Sequence, residues 1–406
     1  MAHEAVRQGT LGRLAAVPHR FFFLAGVVQL AIVSLWWAWT IGARTLPALP
    51  ALPSAVPDTV LHALLMLTGF CPLFMFGFLF TAGPRWLGVD APPPAVWLPP
   101  GLLAVTAVLA IVPLQLAGPG AAGAVRVAAA GYAAGWVWLA LRFLLLLRAS
   151  AATDKVHATL VLVALAAGAG AVAAFAVAGP SAFAWMKTVA LWGFLLPAFV
   201  VVCHRMIPFF TASAIPFVSA FRPWWLLAAM FGAPVAHGVL DAAGLARWTW
   251  WVDLPAGALM LWLTVRWGLA QSLKNRLLTM LHIGFLWYGI GFALSGVDAL
   301  MMQAGGSGIA PAPLHALTIG FASSLLMAMV TRVSCGHSGR TLAADALTWR
   351  LFQLLQLVAV LRVAAVVLPG NVGLAAAALL WAAVWVPWVA RYAPLYWRAR
   401  ADGRPG

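Results

Sequence analysis

Charge is scarce in this chain: Asp, Glu, Lys and Arg together make up 8% of its 406 residues, and acids number nine against 24 bases. So few charges cannot clothe a water-facing surface, which excludes a large soluble domain anywhere in the sequence. Cysteines are three, an odd number far apart in sequence, so no disulfide framework is expected from Cys71, Cys203 and Cys335. The ten-residue alternation of an outer-membrane barrel is also missing. What fills the chain is apolar: 64% of residues are hydrophobic and the mean hydropathy is +0.97.

Apolar runs of this length satisfy their backbone groups only as helices when the solvent is hydrocarbon. The expected fold is therefore all-α, a polytopic membrane bundle of about twelve transmembrane helices at roughly 20 residues per pass. The runs lie near residues 21–42, 62–82, 96–117, 125–147, 157–179, 183–205, 223–244, 248–269, 278–301, 313–334, 346–368 and 372–394. A basic leader over residues 1–20, a single transmembrane bundle over 21–395 and a tail over 396–406 make up the expected organisation. The first run is full length and lacks a small-residue cleavage site, so it reads as an uncleaved helix.

Bases set the expected orientation. With the N-terminus inside, 19 of the 24 Lys and Arg residues fall on the cytoplasmic side, His3 and Arg7 lying in the leader and Arg404 in the tail. Both termini are then cytoplasmic, and the excess positive charge answers topology and anionic lipid rather than nucleic acid. Trp36, Trp37, Trp39, Trp224 and Trp225 read as interfacial belts.

The nine histidines carry the chemical content. Two sit in the same tetrapeptide, Leu61-His62-Ala63-Leu64 and Leu314-His315-Ala316-Leu317, each opening an apolar run that enters from the outer face. Neutral imidazole binds haem iron and suits copper, and a low-spin haem needs two imidazoles at matching depth. His62 and His315 meet that depth requirement; a histidine bonded to a carbonyl at a helix end would look the same in sequence. Arg362, inside the eleventh run, is costly there without a partner and suits a haem propionate. His237 and Asp241 stand one turn apart and make either a metal ligand with its orienting carboxylate or a closed intrahelical pair. On the cytoplasmic side Cys203, His204, His282, Cys335 and His337 offer further metal donors without a compact finger spacing. Arg332, Ser334, His337 and Arg340 gather in a turn after the tenth run that could hold an anion or a propionate.

Several strings are more specific: Pro18-His19-Arg20-Phe21-Phe22-Phe23-Leu24, Arg205-Met206-Ile207-Pro208-Phe209-Phe210-Thr211, Leu281-His282-Ile283-Gly284-Phe285-Leu286-Trp287, His315-Ala316-Leu317-Thr318-Ile319-Gly320, and the stretch from Met329 to Arg340 that includes Arg332-Val333-Ser334-Cys335-Gly336-His337. Together they resemble the NnrS family of bacterial inner-membrane proteins over about residues 18 to 390. The resemblance implies about twelve helices, haem (expected to be b-type) with copper as a possible second metal, and a role in nitric oxide metabolism or protection from nitrosative stress. One departure is visible. Where the family reads Trp-His-Ala-His-Glu-Met, this chain has Leu61-His62-Ala63-Leu64-Leu65-Met66, so His62 carries over while the second histidine and the glutamate do not.

The expected function is thus a membrane haem protein that meets nitric oxide or another diatomic ligand. His62 and His315 would hold the haem, with Arg362 and Arg332 at its propionates and His237, His282 and His337 as further metal donors. No enzyme class follows. Helices six and seven do not supply the three histidines that a terminal oxidase uses for copper. The alternative is a twelve-helix secondary transporter of a small solute or metal. It needs buried carboxylates, for which Asp241, Asp253 and Asp298 are the candidates.

Overall fold

The computed structural model describes residues 9–215, 220–367 and 371–403; His3, Arg7 and Arg404 lie outside them. Ten helical stretches are long and apolar enough to cross a membrane. One of these, Val156–Ala214, has 59 residues, far more than the roughly 20 that span a bilayer. A 3-10 turn at Gly179–Ala182 breaks it into two passes, Val156–Ala178 and 183–214. The helix Trp250–Arg266 has 17 residues, about 26 Å at 1.5 Å per residue, and makes one further short pass. The ten stretches thereby become the twelve expected passes, and among the described residues the chain is helix and connection with no strand.

The chain divides into two compact units. The first holds Met1–Ala190, Val333–Leu342 and Trp385–Gly406; the second holds Leu191–Arg332 and Ala343–Val384. An aromatic core organises the first, with Phe22 and Phe23 of the first span set against Phe74, Phe76 and Trp97 of the next two. In the second, Phe285, Tyr288 and Phe292 of the ninth span pack with Phe321 of the tenth and Trp267 at the end of the eighth. With hydrocarbon outside, such contacts gain little from the hydrophobic effect, so close packing and polar matching hold the helices together.

Prolines show how that matching works. The second pass is two helices, Asp58–Thr68 and Cys71–Leu87, because Pro72 has no N–H to give to the carbonyl four residues back. That carbonyl belongs to Thr68, and the buried Tyr132 hydroxyl donates to it at 2.6 Å. Pro234, inside Trp224–Ala242, frees the carbonyl of Met230 in the same way, and the Tyr288 hydroxyl donates to it at 3.1 Å. An unfilled carbonyl in lipid costs several kcal/mol, on the order of what any one pairing here contributes.

Two wide turns interrupt the sixth and tenth spans: Val189–Leu195, shortly before Pro197, and Ala316–Ser323, immediately after His315, both run with π-helical bonding. Side chains take up carbonyls in the second turn: Thr318 Oγ1 donates to Leu314 O at 2.8 Å and Ser323 Oγ to Thr318 O at 2.8 Å. Such turns shift the helix face and often lie at functional positions.

The tryptophan belt is only partly as expected. Trp39, Trp224 and Trp225 are exposed, but Trp36 is buried and Trp37 turns inward against a histidine.

Candidate functional site

In the first unit, the His62 ring stacks on Trp37 with centroids 3.7 Å apart and planes 21° apart. Arg44 lies over the same indole at 5.7 Å and pairs with Asp58 at 3.4 Å. Asp58 is in turn held by Ser54 and Gln115. The imidazole is thus fixed in plane by an aromatic surface, at the start of the second span.

His315 opens the tenth span in the second unit. Its Nδ1 donates to the Pro311 carbonyl at 2.9 Å, since a carbonyl can only accept. The Nε2 of the neutral ring is then the atom with the lone pair, which is the arrangement that metal-ligating histidines adopt. Arg362 lies within electrostatic range of this ring, on the helix Ala346–Ala364 that packs against the tenth span. That helix ends at Ala364, short of the expected 368, so Arg362 falls in its last turn, where the carbonyl end of the helix dipole favours a cation. Even so its Nη1 is buried and meets no hydrogen-bond partner among the described residues.

His237 corrects the sequence reading. Its carboxylate partner is Asp253 of the next span rather than Asp241 one turn away: Nδ1 donates to Oδ1 at 2.8 Å and approaches Oδ2 at 3.0 Å. Asp253 is 0% exposed, so the pair is a charge-assisted bond shielded from water. Trp192, in the wide turn of the sixth span, stacks on the imidazole at 3.6 Å and 24°. Gly238 permits this approach, because a Cβ there would stand 2.6 Å from the Trp192 Cβ.

His282 is fully buried in the ninth span, and its Nε2 is 2.9 Å from Thr211 Oγ1. The threonine proton is already given to Ile207 O at 2.8 Å, so His282 Nε2 is the donor. Its Nδ1 keeps a lone pair and finds no partner among the described residues. Arg332 lies 3.9 Å over the Phe210 ring as a cation–π contact. The strings around Thr211 and His282, distant in sequence, therefore meet in space.

His337 belongs to a different neighbourhood. The tenth span continues as helix to His337, further than the expected turn from Thr331, and closes with Gly339 at φ +70. Arg340 N bonds to Cys335 O and Gly339 N to Gly336 O, a C-terminal cap that needs this left-handed glycine. In the first unit the His337 ring then comes to 4.2 Å from that of His19, between centroids.

The structure thus brings His315 together with Arg362, His237 with Asp253, and His337 with His19. His62 and His315 belong to separate units. Among the described residues no group of three or more His, Cys, Asp or Glu side chains could hold a metal ion, so the five expected metal histidines do not form one centre. Trp37, Trp192, Thr211 and His19 were not singled out as site residues in the sequence. Asp253 was, but only as a carboxylate that a transporter would need.

A polytopic helical membrane protein whose polar interior is built on histidines is the class that fold and sites define. A family model described as NnrS protein matches residues 13–400, nearly the whole length, and the chain belongs to the NnrS family. No curated protein matches the chain.

Proposed function

We propose that this protein is a haem-binding protein of the bacterial inner membrane that meets nitric oxide, or another small diatomic ligand, in nitric oxide metabolism or nitrosative-stress protection. The observation that carries the reading is His315 with its Nδ1 committed to Pro311 O and its Nε2 left to coordinate, beside a buried guanidinium of Arg362 that has an unanswered N–H. By their donor chemistry these residues suit a haem: His315 and His62 would each offer an imidazole nitrogen to hold the group, and Arg362 would meet a propionate. Arg332 is engaged with Phe210 and would meet a second propionate only by leaving that ring.

A haem held there, b-type in this reading, would supply an iron able to take up a diatomic ligand in exchange for one of the two imidazoles. The chain's own residues do the rest. Pro311 O holds the His315 tautomer, Trp37 holds the plane of His62, and the apolar spans exclude water. A resident copper centre of three ligands does not fit the described residues; His237 and His282 each offer one lone pair only.

Optical spectra of the purified protein in detergent, oxidised, reduced, and reduced with nitric oxide, test the reading. A Soret band that shifts with nitric oxide and is lost in both His62→Ala and His315→Ala is expected. Arg362→Gln should keep the band but weaken haem retention by about tenfold, the loss of one charge-assisted contact. A colourless, metal-free wild type would overturn it.

One observation favours a second reading, a secondary transporter of a small solute or metal. Asp253 is a fully buried carboxylate in a membrane span and is bonded to a histidine, and intramembrane acids of this kind carry protons in coupled transport. Uptake into proteoliposomes driven by a pH gradient, abolished in Asp253→Asn, is the result that would support it.

A further inference from the structure

The neighbourhood of His19 and His337 is made almost wholly of donors. His19 begins the first span and is buried at 5% exposure. His337 ends the tenth, and the two rings are tilted by 38° at 4.2 Å. Four ring nitrogens meet there, and Nδ1 of His19 stands 3.5 Å from Thr81 Oγ1. Neutral imidazoles each bring one N–H.

Guanidinium groups surround the pair. Arg20, 4% exposed, gives its Nη1 to the carbonyls of Tyr396 and Arg398. Arg400 gives Nη1 to His337 O at 2.9 Å, and Arg85 lies within electrostatic range of His337. Three bases thus face the rings. The acid facing them among the described residues is Asp402, already bound by Nε and Nη2 of Arg400 at 2.9 and 2.6 Å. Its carboxylate rests on Gly339, where a Cβ would stand 2.5 Å from the Asp402 carboxyl carbon, and Ala401 N bonds to Ser338 O. The C-terminal segment is thereby strapped to the end of the tenth span, with one tethered anion opposite two unanswered positive charges.

A metal cation between the two imidazoles would be repelled by all three guanidinium groups, whereas an anion is attracted by them and accepts from the ring N–H groups. The start of the long first helix adds its positive end. We propose that His19, His337, Arg20 and Arg85 form a binding site for a phosphate-class oxyanion, with Asp402 as a tethered competitor that Arg400 holds at its edge. A phosphate monoester or inorganic phosphate, at about −1.5 to −2 near neutral pH, balances the two unmatched charges. The same chemistry is presented by an anionic lipid headgroup, and the site stands independently of any haem.

The test uses the full-length protein in neutral detergent, with inorganic phosphate as probe at constant ionic strength, read by equilibrium dialysis and by the thermal unfolding midpoint. One saturable phosphate per chain is expected. His337→Gln and Arg85→Gln should each weaken it about tenfold, one charge-assisted contact apiece, while Arg148→Gln leaves it unchanged. Asp402→Asn is the decisive variant because it should tighten binding several-fold, a gain that misfolding cannot mimic. In nanodiscs, phosphatidylglycerol retained against phosphatidylcholine and displaced by phosphate would assign the site to a headgroup. Phosphate uptake without lipid retention would assign it to the free anion. No saturable phosphate or lipid on the wild type, binding unmoved by His337→Gln, or stoichiometric zinc held by the two histidines without phosphate uptake would each overturn the proposal.

Discussion

The two units solve the same problem with the same parts and differ in where they put the carboxylate. Each stacks a histidine on a tryptophan, His62 on Trp37 and His237 on Trp192. Each also uses a buried tyrosine hydroxyl to fill a carbonyl that a proline has freed. In the first unit the nearby acid, Asp58, stays at the rim and answers Arg44, whose side chain is 47% exposed. In the second the acid, Asp253, is fully buried and answers the imidazole itself. The aromatic face fixes the plane of the first ring, whereas the second is also bonded to a buried carboxylate that fixes which nitrogen donates. The contrast teaches that the tryptophan sets the plane of a ring and the acid fixes its donating nitrogen, and that the two can be built separately.

The largest expected effect lies in the second unit. Asp253→Ala leaves His237 without its acceptor and should lower stability in detergent by about 3 kcal/mol or more, as breaking a buried pair does. Replacing both partners by apolar residues, Asp253→Leu with His237→Phe, should recover most of it in chemical unfolding. If the single variant were as stable as wild type, the buried acid would not be what sets the second unit apart.

Next come the tyrosines. Tyr288→Phe and Tyr132→Phe should each cost about 1–3 kcal/mol through a carbonyl left bare. Adding Pro234→Ala to the first, or Pro72→Ala to the second, restores an N–H for that carbonyl. A double-mutant cycle should then show a coupling on the order of 1 kcal/mol. Additive losses would mean that the tyrosines act by packing alone, and the shared device of the two units would dissolve.

The smallest effect belongs to the first unit's rim. Arg44→Gln removes an exposed ion pair and a cation–π contact, and should change stability by roughly 0.5 kcal/mol, less at high salt. A loss comparable to that of Asp253→Ala would erase the distinction between rim and buried acid.

Part of the candidate site was legible in the residues. His62 and His315 stood out through their repeated tetrapeptide, and Arg362 through its cost in an apolar run; the structure gives His315 a tautomer suited to coordination and Arg362 an unanswered N–H. His237 was legible as a polar residue in a span, but its partner was not. Spacing along one helix pointed to Asp241, whereas helix packing chose Asp253 across a turn. The meeting of His19 with His337 had no local signal at all, since it depends on the tenth span staying helical through Ser334 and capping only at Gly339.

By itself the sequence determined the solvent, the helical backbone and the number of passes, because these follow from apolar length summed along the chain and from the demand that lipid leave no peptide group unbonded. Family membership was likewise readable in strings of residues. Only the tertiary structure decided which polar groups meet, because in a medium without water each buried donor or acceptor takes the partner that a neighbouring helix brings within about 3 Å, and that choice is made by packing between segments rather than within them.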